Sequence, residues 1–466
     1  MLTYLHVLNE SQEKDTALIS SLKQSIKEKR KTSTSHQALF YASLVNVIFG
    51  RIEKSHEYVE RSYKMGKSDL SLLLKAFIEV QSPDSKHHSN CEKTFKILEG
   101  LATTTNSLIL TVVYSTFLRQ QKLNDKAEEV LIRYISSNPS HPGYALIEVM
   151  TLCMAENRWD DMMMSAKQCV STNPYLVEPL LAQCIYYLTQ TSEWEKTGKI
   201  LDDLYQMVLK HEPQSAMKLS TVFATCITLM EPHSPLLKHL LRFVERELVI
   251  NPRGIRYMID YAKYLLYSDK PSEAIQYLEK VITLQKDSLE AAEIMSRCLV
   301  QMNSLKDAEI QIEVLKSSSI SPVSYFMQAQ VARLNGCSAE KVIELLDEAA
   351  ESHLVKLEKA VVDLNFYRML NLNFVLELVD EYLHHLPDDK DAIMGDNAIL
   401  VTCTKLLRTL VQFSSGNTRV SLHIAKVCFL KDEVKEAVKT LKKLIEDHPE
   451  CTEGYLLLAK VVKFTL

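Results

Sequence analysis

The sequence predicts an all-α fold, an α-solenoid of stacked helical hairpins wound into a right-handed superhelix, and three observations carry that prediction. First, Asn138-Pro139 in "YISSNPSHPGYALIEVM" returns 35 residues later as Asn173-Pro174 in "CVSTNPYLVEPLLAQCIYYL", and Trp159 and Trp194 repeat the same interval. A fixed period of this size is the signature of a repeat architecture. Second, small residues recur twelve apart across short polar turns. Third, 46% of the residues are apolar while only 10 glycines and 13 prolines are present among 466 residues, which leaves little material for the turns of an all-β fold.

The clearest unit is "RYMIDYAKYLLYSDKPSEAIQYLEKVITLQKD", two apolar-periodic stretches separated by a turn holding Asp269, Pro271 and Ser272. Ala262 and Ala274 let its two helices approach closely, and Tyr261, Leu265, Leu278 and Val281 fill the remaining space, which is the packing logic of a tetratricopeptide hairpin. Moving 34 residues on from Ala274 reaches Ala308, with Ser296, Leu299, Ile312 and Leu315 in matching places. Further on, "VSLHIAKVCFLKDEVKEAVKTLKKLIEDHPE" supplies Ala425, Ala437, Leu441, Leu444 and Pro449. Ala437 precedes Pro449 by twelve residues, as Ala127 precedes Pro139 and Met162 precedes Pro174. Each proline ends a second helix, because it lacks an N–H and fixes φ.

Units with weaker alanine positions fit between Leu39 and Lys64, Leu180 and Asp203, and Phe326 and Ala349. The reading is one solenoid over residues 1–466, of roughly ten to twelve hairpins. Residues 81–93, "QSPDSKHHSNCEK", form a loop, 384–402 an irregular connection between repeats, and 451–466 an incomplete final repeat. Its helix, "TEGYLLLAKVVKFTL", lacks a polar cap, so the chain reads as part of a longer solenoid that self-associates through an uncapped C-terminus. A coiled coil is excluded because the apolar pattern resets at every turn, and a HEAT or armadillo array favours a longer period.

A net charge of -5 gives no global attraction to nucleic acid or anionic membranes. "KEKRK" at Lys27 to Lys31 reads as a solvated helix end. The ten cysteines are scattered singly, which fits buried thiols of a reduced, cytoplasmic protein and no metal knuckle. The N-terminus has no signal-peptide pattern, and no apolar run approaches a membrane span, so no direct membrane insertion is expected.

Catalytic patterns are missing: no GxSxG, GxxxxGK[ST], GxGxxG or HExxH occurs, so neither an enzyme nor a cofactor is expected. The histidine doublets His87-His88 and His384-His385, the latter followed by Asp388, Asp389 and Asp391, read as surface loops. Asp160-Asp161 and Asp202-Asp203 read as solvated helix faces, and Met162 to Met164 as helix packing. On the inner face, Arg256 and Lys263 precede Glu290, Glu293 and Arg297, so acidic residues interrupt any clamp for a peptide carboxylate. Arg419 and Lys426 repeat the seven-residue spacing of Arg256 and Lys263, and these four are the candidate protein contacts.

Several stretches carry a family resemblance: "LKQSIKEKRKTSTSHQALFYASL" with "GRIEKSHEYVERSYKM", then "VERELVINPRGIRYMIDYAKYLL", and "NGCSAEKVIELLDEAAESHL" with "LNLNFVLELVDEYLHHLP". The chain resembles the tetratricopeptide repeat protein 21 family, also called intraflagellar transport protein 139. Two departures are "QSPDSKHHSNCEK" and Val342, which stands where a small residue is expected. The resemblance implies a scaffold subunit of intraflagellar transport complex A that supports retrograde ciliary transport and ciliary membrane-protein traffic. Its implied partners are the complex's other subunits, built from β-propellers and helical repeats, and its implied location is the cytoplasm and cilium. The alternative is a free-standing peptide-binding adaptor or co-chaperone.

Overall fold

The computed structural model describes the chain apart from residues 1–15, 33–34, 49–50, 82–92, 95, 98–106, 141, 211–215, 286–287, 319–320, 388–396 and 464–466. The first helices are α1 (Thr16–Thr32), α2 (His36–Ile48), α3 (Ile52–Gly66), α4 (Asp69–Gln81), α5 (Leu108–Gln120), α6 (Asn124–Ser137), α7 (Gly143–Ala155) and α8 (Trp159–Thr172). There follow α9 (Glu178–Tyr186) with a π turn at Tyr187–Thr191, α10 (Trp194–Lys210), α11 (Ala216–Leu229), α12 (Leu237–Ile250), α13 (Ile255–Tyr267), α14 (Pro271–Leu284), α15 (Leu289–Gln301) and α16 (Leu305–Ser318). The last are α17 (Pro322–Leu334), α18 (Ala339–Glu358), α19 (Leu364–Leu370), α20 (Leu372–Leu383), α21 (Ala398–Phe413), α22 (Thr418–Leu430), α23 (Val434–Asp447) and α24 (Thr452–Lys463). No strand occurs among the described residues.

Where the sequence reads as one array, the chain divides into two compact units, Met1–Leu152 and Cys153–Leu466. Most of the loop expected at residues 81–93, including His87-His88, lies outside the described residues, as do Asp388, Asp389 and Asp391. Of the irregular connection expected over 384–402, residues 388–396 lie outside the described residues, and α21 already begins at Ala398, where the Asn397 side chain accepts from Ile399 N at 2.9 Å. An asparagine cap of this kind satisfies a helix-end donor and fixes the start.

The hairpins turn by one recurring device. Lys122, Asn157, Asp269, Asn303, Gly336 and Asp432 all have positive φ, between 58° and 72°. In each turn the next amide bonds back to the carbonyl five residues earlier, as in Arg158 N to Cys153 O at 2.8 Å and Ser304 N to Leu299 O at 2.8 Å. These are Schellman closures, in which a left-handed residue satisfies the orphan carbonyls of the preceding helix. Asparagine and aspartate tolerate that conformation, which is why a chain with few glycines turns so often.

In the first unit, α2 and α3 meet at small polar residues: Ser43 and Ser55 hydroxyls lie 2.8 Å apart, both fully buried. Glu79, also fully buried, is compensated by Lys75 at 3.6 Å, His56 at 3.5 Å and the Thr94 hydroxyl at 3.0 Å. Ala127 is buried on α6, and Pro139 follows that helix.

In the second unit, Ala262, Ala274, Leu265, Leu278 and Val281 share one core with Ala291 and Cys298 of α15. Ala308 is fully buried on α16, and Ala425 and Ala437 pack with Leu441, Leu444 and Val461. Pro174 and Pro449 follow the ends of α8 and α23. Met162 and Met163 are buried, whereas Met164 is 68% exposed. Val342 is fully buried, so the branched side chain is accommodated within the packing. On α24, Val461 is buried, while Tyr455, Leu456 and Val462 are exposed.

Candidate functional site

The 34-residue period places Arg256 of α13 beside Glu290 of α15, one repeat later. Arg256 Nη1 donates to Glu290 Oε2 at 2.9 Å, and Lys263 Nζ reaches Glu290 Oε1 at 2.5 Å. Burial would raise the Glu290 carboxyl, but Lys263 and Arg256 outweigh it and hold it below its ordinary value. Arg256 also approaches Asp260 at 3.3 Å, which accepts a hydrogen bond from the Ser220 hydroxyl. Asp260 is almost fully buried, and that burial lifts its carboxyl to about 6 despite the nearby cations. Arg297 continues the row on α15 and donates to Glu377 Oε2 of α20 at 2.9 Å. Glu293 accepts from the Ser321 hydroxyl at 2.6 Å.

The inner face of the second unit is therefore lined by compensated charges, and the chain itself fills it. α19 and α20 pack against α11, α18, α21 and other helices of this unit. Phe366, Tyr367 and Leu370, then Leu372, Phe374, Val375, Leu376, Leu378, Val379 and Tyr382, are all buried. α20 is buried over most of its surface, and its polar residues Asn373, Glu377, Asp380 and Glu381 each find a partner within the unit. Asn371, at φ 42°, ends α19 and starts α20 at once, and its side chain accepts from Phe374 N at 3.4 Å.

Asn373 is the polar centre of this filling. Its Nδ2 lies 3.0 Å from Ile227 O and 3.1 Å from Tyr267 Oη, and it also reaches Met230 O. Its Oδ1 accepts from Arg419 Nη1 at 2.5 Å. Arg419, one of the four candidate contacts, is thus engaged inside the unit. Lys426 is exposed one turn beyond His423, whose Nε2 is 3.0 Å from Asp380 Oδ1. Burial would raise Asp380, but His423, with Lys426 and Arg419, holds it low.

A second tie joins residues more than two hundred apart. The π turn after α9 leaves carbonyls free of ordinary helical pairing, and residues 413–418 meet them. Asn417 Nδ2 donates to Leu188 O at 3.1 Å, Gly416 N to Thr189 O at 3.2 Å, and Gln190 Nε2 to Phe413 O at 2.9 Å. The Ser192 hydroxyl donates to Gly416 O and accepts from Thr418 N, each at 3.2 Å. A Cβ on Gly416 would lie 1.7 Å from Gln190 O, so only glycine allows this approach. Trp159 stands near the same side, with ring centroids 6.1 Å from both Tyr186 and Tyr367.

The other polar groups singled out in the sequence sit on surfaces or in local pairs. Asp161 pairs with Arg158 at 3.1 Å, and Asp202 accepts from Arg242 at 3.2 Å beside His239. Burial holds His385 below its ordinary pKa. Among the described residues, no three His, Cys, Asp or Glu side chains converge as a metal ion requires. No described helix is long and apolar enough to cross a membrane.

Stacked hairpins with a self-filled inner face define a helical-repeat scaffold, a protein that presents surfaces. Two family models match its two halves: the tetratricopeptide repeat protein 21 N-terminal ARM repeat over residues 1–163, and the tetratricopeptide repeat protein 21 second ARM domain over residues 199–464. The chain belongs to the tetratricopeptide repeat protein 21 family. It is 25% identical to tetratricopeptide repeat protein 21B of Homo sapiens over 470 residues, 99% of this chain and 35% of that protein. Tetratricopeptide repeat protein 21A of Mus musculus is 23% identical over 454 residues, 96% of this chain and 34% of that one. The chain thus spans about a third of the length of these relatives. Among solved structures, yeast Tom70 aligns at 10% identity with a TM-score of 0.40, covering 99% of this chain and 95% of that one.

Proposed function

We propose that the chain is a non-catalytic scaffold segment of intraflagellar transport complex A, supporting retrograde ciliary transport and ciliary membrane-protein traffic. The observation that carries this reading is the match of the family models over residues 1–163 and 199–464. The filled inner face adds to it. A peptide-binding adaptor holds its ligand in an open concave groove, and in the second unit Asn373, Phe374 and Tyr382 occupy that space. Partners then dock on outer faces and are the complex's β-propeller and helical-repeat subunits, in the cytoplasm and cilium.

The test is affinity capture of the tagged chain from ciliated cells, followed by mass spectrometry and imaging. Co-recovery of complex A subunits with ciliary or basal-body signal supports the proposal. Expression of folded chain with none of those subunits recovered, and with chaperones taking their place, refutes it.

A further inference from the structure

An open groove of about 390 Å³ runs beside α21. Lys405, Arg408 and Lys431 line it, with Thr404, Thr409 and Gln412, and its lining contains no carboxylate. Helical spacing makes this a designed face: Val401, Lys405, Arg408 and Gln412 lie at i, i+4, i+7 and i+11 and are all exposed. The whole of α21, "AILVTCTKLLRTLVQF", carries no acid to neutralise its two cations. Lys431 comes from the C-terminal end of α22 and shares its charge with Glu433 at 2.8 Å. Among the described residues, Lys405 and Arg408 form no ion pair, and the neighbouring acid, Glu433, is held low by Lys431 first and by Arg408 only at longer range. This contrasts with Arg256, Lys263 and Arg297, each of which forms an ion pair.

We propose that this pocket binds a carboxylate-rich segment of a protein partner. The planar guanidinium of Arg408 suits a bidentate carboxylate, and Lys405 and Lys431 add point charges on either side. The Thr404 and Thr409 hydroxyls already donate to Leu400 O and Lys405 O, so they are left to accept and not to neutralise an anion. A protein segment fits better than a membrane or nucleic acid, because the cations are confined to one groove that spans a few carboxylates and not the length of an extended polyanion. The inference concerns this pocket alone and holds whichever assembly contains the chain.

The experiment measures binding of a fluorescent hexaglutamate peptide to the full chain by polarisation, with a hexaglutamine peptide as control. Wild type should prefer glutamate, and added salt should weaken the binding. Lys405→Glu with Arg408→Glu should weaken it about tenfold or more, a loss of about 1.4 kcal/mol or more. Lys435→Glu, an exposed lysine outside the lining, should leave it within about twofold. The pair Lys405→Gln with Arg408→Gln decides the matter if the reversed pair fails to fold. Equal binding of both peptides, insensitivity to the pocket substitutions, or an equal loss in Lys435→Glu overturns the proposal. So does capture of the chain by phosphatidylserine vesicles when hexaglutamate fails to bind.

Discussion

The hairpins α13 to α17 and the helices α19 to α22 lie in one unit and draw on the same residue types, yet different contacts hold them. In the first group, Ala262, Ala274 and Ala291 bring neighbouring helices together, and Arg256 and Glu290 join across one period. Most partners in this group are within about one repeat in sequence, Arg297–Glu377 and Tyr267–Asn373 being exceptions at its border with the second, so its stability is largely a sum of local terms. In the second group, Asn373 reaches Ile227 across 146 residues, and Asn417 reaches Leu188 across 229. Such ties stabilise only once the intervening chain is in place, so this part of the unit should be lost cooperatively where the first group loosens by degrees.

Breaking the long-range ties should have the largest effects. Asn373→Leu keeps the volume but strands the carbonyls of Ile227 and Met230 and the Arg419 guanidinium; chemical denaturation should show a loss of about 3–4 kcal/mol. An unchanged midpoint would mean that α20 is not anchored there. Gly416→Ala forces a backbone shift against Gln190, costing about 3 kcal/mol, and should raise hydrogen exchange at residues 188–192 as well as at 413–418. Exchange confined to 413–418 would contradict the tie.

The local side of the comparison should respond less and closer to home. Ala274→Leu overpacks the α13–α14 contact by about 1–3 kcal/mol, with faster exchange in α13 to α15 and none at Gly416. Spread to Gly416 would show that the two groups are not separable. The smallest effect is a pH dependence. His353, buried against Phe374 with Nε2 3.2 Å from Leu370 O, is held down at about 4 by burial. Because its folded pKa lies below the unfolded value of about 6.5, the unfolded chain binds more protons in between, and stability is lost as pH falls from 6.5 towards 4. Wild type should lose about 1 kcal/mol relative to His353→Phe between pH 7 and 5.5. Parallel melting curves for the two proteins across that range would remove His353 from the account.

Much of the local architecture can be read from residue spacing. The 34-residue step from Ala274 to Ala308 marks the helix contacts, and the same step links Arg256 to Glu290, an ion pair visible in the sequence once the period is known. Two pairs of left-handed turn residues keep the period, Lys122 with Asn157 and Asp269 with Asn303, whereas Asp432 does not fall on it. The filling helices were signalled only weakly: "LNFVLELVDEYL" is rich in Leu, Val and Phe, which says that most of the segment is buried and not what buries it. The basic pocket had a weaker signal, the acid-free sequence of α21, and its third cation comes from a different helix.

What the sequence by itself determined is the hairpin, its period and its family, because those rest on interactions between residues less than about one repeat apart, and local spacing encodes them. The tertiary structure alone decided that Arg419 turns inward to Asn373, that Gly416 closes on Gln190, and that the inner face of the second unit is occupied. Those contacts depend on how small rotations between successive hairpins accumulate along the chain, and no single interval in the sequence records that sum.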